Sequence, residues 1–163
     1  MEALLYQAIQ AAIKAGQAIL RIYETDFTVA HKPDQSPLTL ADCESHRIIV
    51  EQLETVGFPI LSEEGRQLPY QERQAWITFW LLDPLDGTKE FVKRNGEFTV
   101  NIALITDGKP VMGVIYVPVA DVLYFGSLQN GAYKMTTAAE RLVALLSPEE
   151  DKHQWISELC AAA

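Results

Sequence analysis

The sequence predicts an α+β fold, with helices layered on a largely antiparallel sheet. Three observations lead there. Residues 4–23 and 39–53 carry apolar positions at helical spacing, the stretch from 97 to 134 carries β-branched runs, and Asp-Gly and Asn-Gly steps punctuate those runs. With 163 residues, 48% hydrophobic and 21% charged, the chain has the length and composition to bury a core.

Leu5, Ile9, Ala12, Ile13, Gly16 and Ile19, with Leu4, Ala8, Leu20 and Tyr23, line one face of a first helix over residues 4–23. TDFTVAHKPDQSP is polar and turn-rich, a loop ending at Ser36-Pro37. Thr39 is placed to cap a second helix, with Asp42 at the capping-box position and Leu40, Cys43, Val50 and Leu53 as the expected buried face. FPILSEEGR gives a short strand, Ile60-Leu61, that runs into Glu63-Glu64-Gly65. ITFWLL is the next strand, ending at Asp83, and DPLDGTKEF follows it. Asp107-Gly108 and Asn130-Gly131 between apolar runs predict a meander of three or four strands. The tail from 135 to 163 reads as helical in AAERLVALL, with a second helical stretch after Pro148-Glu149.

A net charge of −9 argues against polymeric nucleic acid or an anionic membrane as partner, since both attract cationic patches. It leaves room for a small anionic substrate brought in with metal cations. No apolar run is long enough for a transmembrane segment, and MEALLYQAIQ lacks a signal-peptide pattern, so a cytosolic protein is expected. Cys43 and Cys160 are too isolated for a zinc site or disulfide framework, and Cys43 reads as a small core residue. His31, His46 and His153 show no metal-ligand spacing.

The acidic residues carry the functional signal. Asp42, the Glu63-Glu64 pair, and Asp83 with Asp86 fall at strand ends or a helix start. Pro84 fixes the backbone between the two aspartates, so both carboxylates and the Leu85 carbonyl can face one volume. Such hard oxygen donors suit Mg2+, which keeps waters for a substrate to displace. Gly87 permits a tight backbone, a helix starting there would offer amides to a phosphate, and Thr88 adds a hydroxyl. Taken alone, DPLDG reads equally as a turn or a ligand site. Taken with Asp42 and Glu63-Glu64, the site reading gains. WLLDPLDGT also approaches the Asp-x-Asp-Gly-Thr nucleophile motif of haloacid dehalogenase-like phosphatases, but two residues separate Asp83 from Asp86 where that motif has one.

SPLTLAD, PILSEE, WLLDPLDGTKEF and RNGEFTVNIALI, in this order, closely resemble the inositol monophosphatase-like superfamily of magnesium-dependent, lithium-sensitive phosphatases. Lys89-Glu90 and the RNGEFTVNIALI continuation resemble its 3'(2'),5'-bisphosphate nucleotidase branch, where inositol monophosphatases usually have Thr-Asn. The resemblance covers residues 1–134, the N-terminal α+β domain of that fold. It implies hydrolysis of adenosine 3',5'-bisphosphate to AMP and phosphate, a step of sulfur metabolism. It also implies roles. Glu63, Asp83 and the Leu85 carbonyl would hold one Mg2+, and Asp83 with Asp86 a second. Glu63 and Thr88 would position and deprotonate the attacking water, with Asp42 orienting Thr88. Glu63, Leu85, Asp86, Gly87 and Thr88 would line the substrate site. The family's second domain carries a Trp-Asp-x-Ala-Ala motif whose aspartate completes the second metal site, and no such motif occurs here. Asp151 in the tail could in principle substitute for it. The domain face that normally meets the second domain is then expected to be free for self-association. Alternatives are an inositol or sugar monophosphatase on the same scaffold, or a non-catalytic domain.

Overall fold

The computed structural model describes residues 1–32 and 37–145. Asp151 and the helical stretch expected after Pro148-Glu149 lie outside the described residues.

Helix α1 (Glu2–Tyr23) is buried almost all round at its centre, from Ala8 to Ile13 and again at Ile19. It earns that burial by lying between α2 (Leu40–Leu53) and a six-stranded sheet. Gly16 sets the approach distance, since a Cβ there would stand 2.4 Å from the Tyr116 ring. Before the sheet come two short strands, β1 (Val29–His31) and β2 (Pro37–Thr39), paired antiparallel. The sheet follows chain order: β3 (Ile60–Ser62), β4 (Thr78–Asp86), β5 (Thr99–Thr106), β6 (Lys109–Val117), β7 (Val122–Ser127) and β8 (Gly131–Thr136). Only β3 and β4 run parallel, with the short helix α3 (Tyr70–Arg73) in their connection. The largely antiparallel α+β expectation is therefore met.

Strand alternation gives the sheet two unlike faces. Trp80, Leu82, Ile102, Leu104, Val114 and Tyr116 are buried on the helix side. On the other side Leu81, Ile115 and Tyr124 are 42%, 46% and 42% exposed. Asp107 and Gly108 both adopt positive φ, 49° and 71°, the pattern of a two-residue hairpin turn between β5 and β6. Short helix α4 (Thr88–Lys93) follows β4, and α5 (Ala138–Leu145) closes the described chain with Ala138 and Leu142 in the core.

Three expectations need correction. The stretch read as a loop before Thr39 contains β1 and the start of β2, since Pro37 can sit in a two-stranded ribbon that needs no amide from it. The buried face of α2 is Ala41, Asp42, Ser45, Ile49 and Leu53, while Leu40 is 65% exposed and Cys43 is exposed. Small side chains let this helix sit close to β4, and two polar residues turn inward because each finds a partner there. Finally, β4 does not end at Asp83; it continues to Asp86 through an irregularity in its pairing.

Candidate active site at the end of strand β4

That irregularity places the two aspartates. In a regular strand, residues three apart point to opposite faces. Here Asp83 pairs with Asn101 and Asp86 with Thr99, so three steps along β4 match two along β5. The extra residue is a β-bulge, and it puts Asp83 and Asp86 opposite two residues of the same face. Pro84, which cannot donate to a ladder, sits at this bulge, and the Leu85 side chain stays 97% buried. The DPLD stretch is thus a bulged strand end rather than a free turn.

Asp42 realises both of its sequence readings at once. Its Oδ2 accepts from the Thr39 amide at 2.7 Å and the Thr39 hydroxyl at 2.6 Å, so it caps α2. Its Oδ1 accepts from the Thr88 hydroxyl at 3.0 Å, and the Leu85 carbonyl accepts from the same hydroxyl at 3.2 Å. The Thr88 proton is therefore directed inward, and the lone pairs of its oxygen are turned from these acceptors. Gly87 precedes α4 at φ 95° and ψ 37°, a left-handed conformation. Its carbonyl takes the Glu90 and Phe91 amides, which leaves the Thr88 amide without an acceptor inside the helix. Pro37, Glu63, Gly87, Thr88, Lys89 and Glu90 line a cavity of about 180 Å³ beside this helix start.

Glu63 follows β3 directly and is held to the sheet by its amide, which donates to the Leu82 carbonyl at 3.1 Å. Sequence reasoning missed its partner. The Lys32 ammonium donates to Glu63 Oε1 at 2.9 Å and to Glu64 Oε1 at 2.6 Å. Burial pulls the Lys32 pKa down, but hydrogen bonds to Glu64 and Glu63 more than offset it, and the ammonium is held above its ordinary value. Burial also raises the Glu64 carboxyl, with Lys32 pulling it back. Two more residues went unnoticed. The buried Ser45 hydroxyl donates to the Pro84 carbonyl at 2.6 Å, and Asn101 Nδ2 donates to Asp86 Oδ2 at 3.0 Å. For Asn101 the signal lay in a polar side chain set within the apolar run VNIALI, whereas Ser45, among Glu44, His46 and Arg47, carried none.

Among the described residues no three His, Cys, Asp or Glu side chains form a ready metal cluster, and Glu63 is engaged by Lys32 instead. The chemistry of the donors nevertheless fits a hard divalent cation. Burial, then the charges of Glu63 and Asp86, push the Asp83 carboxyl up to about 7. A half-buried carboxylate set against two others lacks a compensating positive charge, and a cation bound by oxygen ligands would provide one.

A family model described as "Inositol monophosphatase family" matches residues 1–160. The chain belongs to the inositol monophosphatase family. It is 51% identical over 128 residues to the 3'(2'),5'-bisphosphate nucleotidase CysQ of Salmonella typhimurium, covering 76% of this chain and 52% of that protein. Against CysQ of Escherichia coli K12 it is 50% identical over 125 residues, covering 74% and 50%. The crystal structure of CysQ from Bacteroides thetaiotaomicron superimposes with a TM-score of 0.82 at 48% identity, over 98% of this chain and 56% of that one. The chain thus spans about half the length of the curated relatives it matches. Among the described residues no helix is long and apolar enough to cross a membrane.

Proposed function

We propose that this inositol monophosphatase family chain supplies the water-activating half of a magnesium-dependent 3'(2'),5'-bisphosphate nucleotidase. The substrate is adenosine 3',5'-bisphosphate, and the products are AMP and inorganic phosphate. The observation that carries this reading is the Thr88 hydroxyl, pinned by Asp42 and Leu85 at the bulged strand end that presents Asp83 and Asp86.

Asp83, Asp86, Glu63 and the Leu85 carbonyl would hold Mg2+, which lowers the pKa of a bound water and stabilises the leaving oxygen. Thr88 has its proton committed inward, so its oxygen accepts a hydrogen bond from the attacking water and orients it. Glu63 takes the water proton once Lys32 releases it. Asp42 holds Thr88 through Oδ1 while Oδ2 stays tied to the helix cap, so the hydroxyl cannot swing away. The Gly87–Thr88 backbone seats the scissile phosphate in the adjoining cavity. Water oxygen bonds to phosphorus and its proton passes to Glu63. The bond from phosphorus to the 3' oxygen breaks, and that oxygen takes a proton from solvent water to leave as a hydroxyl. The resulting hydroxide is neutralised by the proton that Glu63 gives back. Similarity to proteins named as CysQ bisphosphate nucleotidases supports the choice of substrate, as does Lys89 in the cavity wall.

The test is phosphate release from adenosine 3',5'-bisphosphate with Mg2+, compared with inositol 1-phosphate and repeated with lithium. Release from the nucleotide that lithium suppresses is the expected result. Thr88→Ala is expected to lower kcat by about 10²-fold, the scale of a misplaced reactant, with Thr88→Ser recovering most of it. A well-folded chain that releases nothing at any magnesium concentration overturns the reading for this polypeptide.

The reading extends to the sheet face bearing Leu81, Ile115 and Tyr124, which is exposed among the described residues and through which the chain self-associates. Sedimentation is expected to show concentration-dependent dimers that Ile115→Lys disperses. A monomer at every concentration would remove this part of the proposal.

A further inference from the structure

Asp86 differs from Glu63 in how it is held. Glu63 has a cation on it, whereas Asp86 takes its side-chain hydrogen bond from a neutral amide, Asn101 Nδ2 at 3.0 Å. Asn101 stands opposite Asp83 in the β4–β5 register, and its Oδ1 accepts from the Thr99 hydroxyl at 3.1 Å. The amide cannot be turned over without setting its carbonyl oxygen against the Asp86 carboxylate. Its orientation is therefore fixed by chemistry on both ends. A lysine or arginine here would neutralise Asp86 and compete with any bound cation. A neutral donor fixes the carboxylate's direction and leaves its charge available.

We propose that Asn101 is the positioning residue of the candidate cation site, acting through Asp86: it holds Oδ2 so that Oδ1 is presented to the ion. The inference rests on the magnesium reading above. Hydrogen bonds to ligating carboxylates typically govern about 10–100-fold in metal affinity.

The measurement is Mn2+ binding to the purified full chain by electron paramagnetic resonance, with no substrate present, alongside thermal melting in EDTA. Asn101→Ala is expected to weaken Mn2+ binding about 10-fold with its melting temperature in EDTA little changed. In an Asp86→Asn background the same substitution is expected to have no further effect on binding. Asn101→Ser, which equally lacks the amide, replaces Ala if that variant does not fold. In activity assays the loss is expected in the Mg2+ concentration for half-maximal rate, with kcat at saturating Mg2+ retained. Unchanged Mn2+ affinity in Asn101→Ala, or an equal loss with and without Asp86, overturns the positioning role alone. No Mn2+ binding by the wild-type chain overturns the magnesium reading and this inference with it.

Discussion

Asp83→Asn is expected to stabilise the metal-free chain and abolish its phosphatase activity. Asp83 is half-buried, with Glu63 and Asp86 adding like charge to the cost of burial. The amide that replaces it carries no charge, and its oxygen can still accept from the Leu85 backbone as the carboxylate does. Removing an opposed charge at a partly solvated position is worth about 1 kcal/mol, so thermal melting in EDTA at pH 8 is expected to rise by about 2–4 °C. Millimolar Mg2+ is expected to reverse the order. A ligand that binds only the folded state adds about 2.7 kcal/mol at one hundred times its Kd, and only the wild-type chain retains the full ligand set. Melting curves with and without Mg2+ decide the point. An Asp83→Asn protein that melts lower in EDTA, or gains as much from Mg2+ as wild type, would sink the argument.

The second large effect is expected at Gly87. Its φ of 95° is closed to ordinary side chains, and a Cβ there would stand 2.9 Å from the Glu97 carbonyl and 3.3 Å from the Phe98 Cα. Both neighbours are backbone, so relief requires moving the strand approach to Thr99 or the start of α4. Gly87→Ala is expected to cost about 2–4 kcal/mol, lowering the melting temperature by about 5–15 °C. Because Thr88 is the next residue, the folded fraction is also expected to lose activity. A variant that melts within about 2 °C of wild type and keeps its kcat would show that this backbone yields easily.

Much of this was readable in the residues. Asp107-Gly108 marked its hairpin because a two-residue turn needs positive φ at both positions. The first helix announced itself through apolar spacing, and Thr39 with Asp42 marked the start of the second. What misled was residue type without partners. Leu40 and Cys43 look like core and are exposed, whereas Asp42 and Ser45 look like surface and are buried. Their partners, Thr88 and the Pro84 carbonyl, lie more than thirty positions further along, where no local pattern connects them. Lys32 was illegible for the same reason, since a lysine in a polar stretch shows nothing of two glutamates beyond a helix. The bulge hid behind a sound inference: Pro and Gly do favour turns, but only the register with β5 shows that the strand continues.

The strand irregularity at Pro84 has a consequence for how the motif tolerates change in length. Along a pleated strand, whether two side chains share a face is a question of odd or even separation. Asp83 and Asp86 are separated by an odd count, and the unpaired step restores their agreement. Deleting Pro84 would leave an even count, so a straight strand would keep both carboxylates on one side. It would also remove the Pro84 carbonyl that Ser45 grips and straighten the backbone that lets Leu85 bury its side chain while its oxygen meets Thr88. The shorter motif would preserve the acids and misdirect the Leu85 oxygen between them. Parity alone is therefore the weaker constraint here: the length of DPLD is set by the carbonyl it must expose.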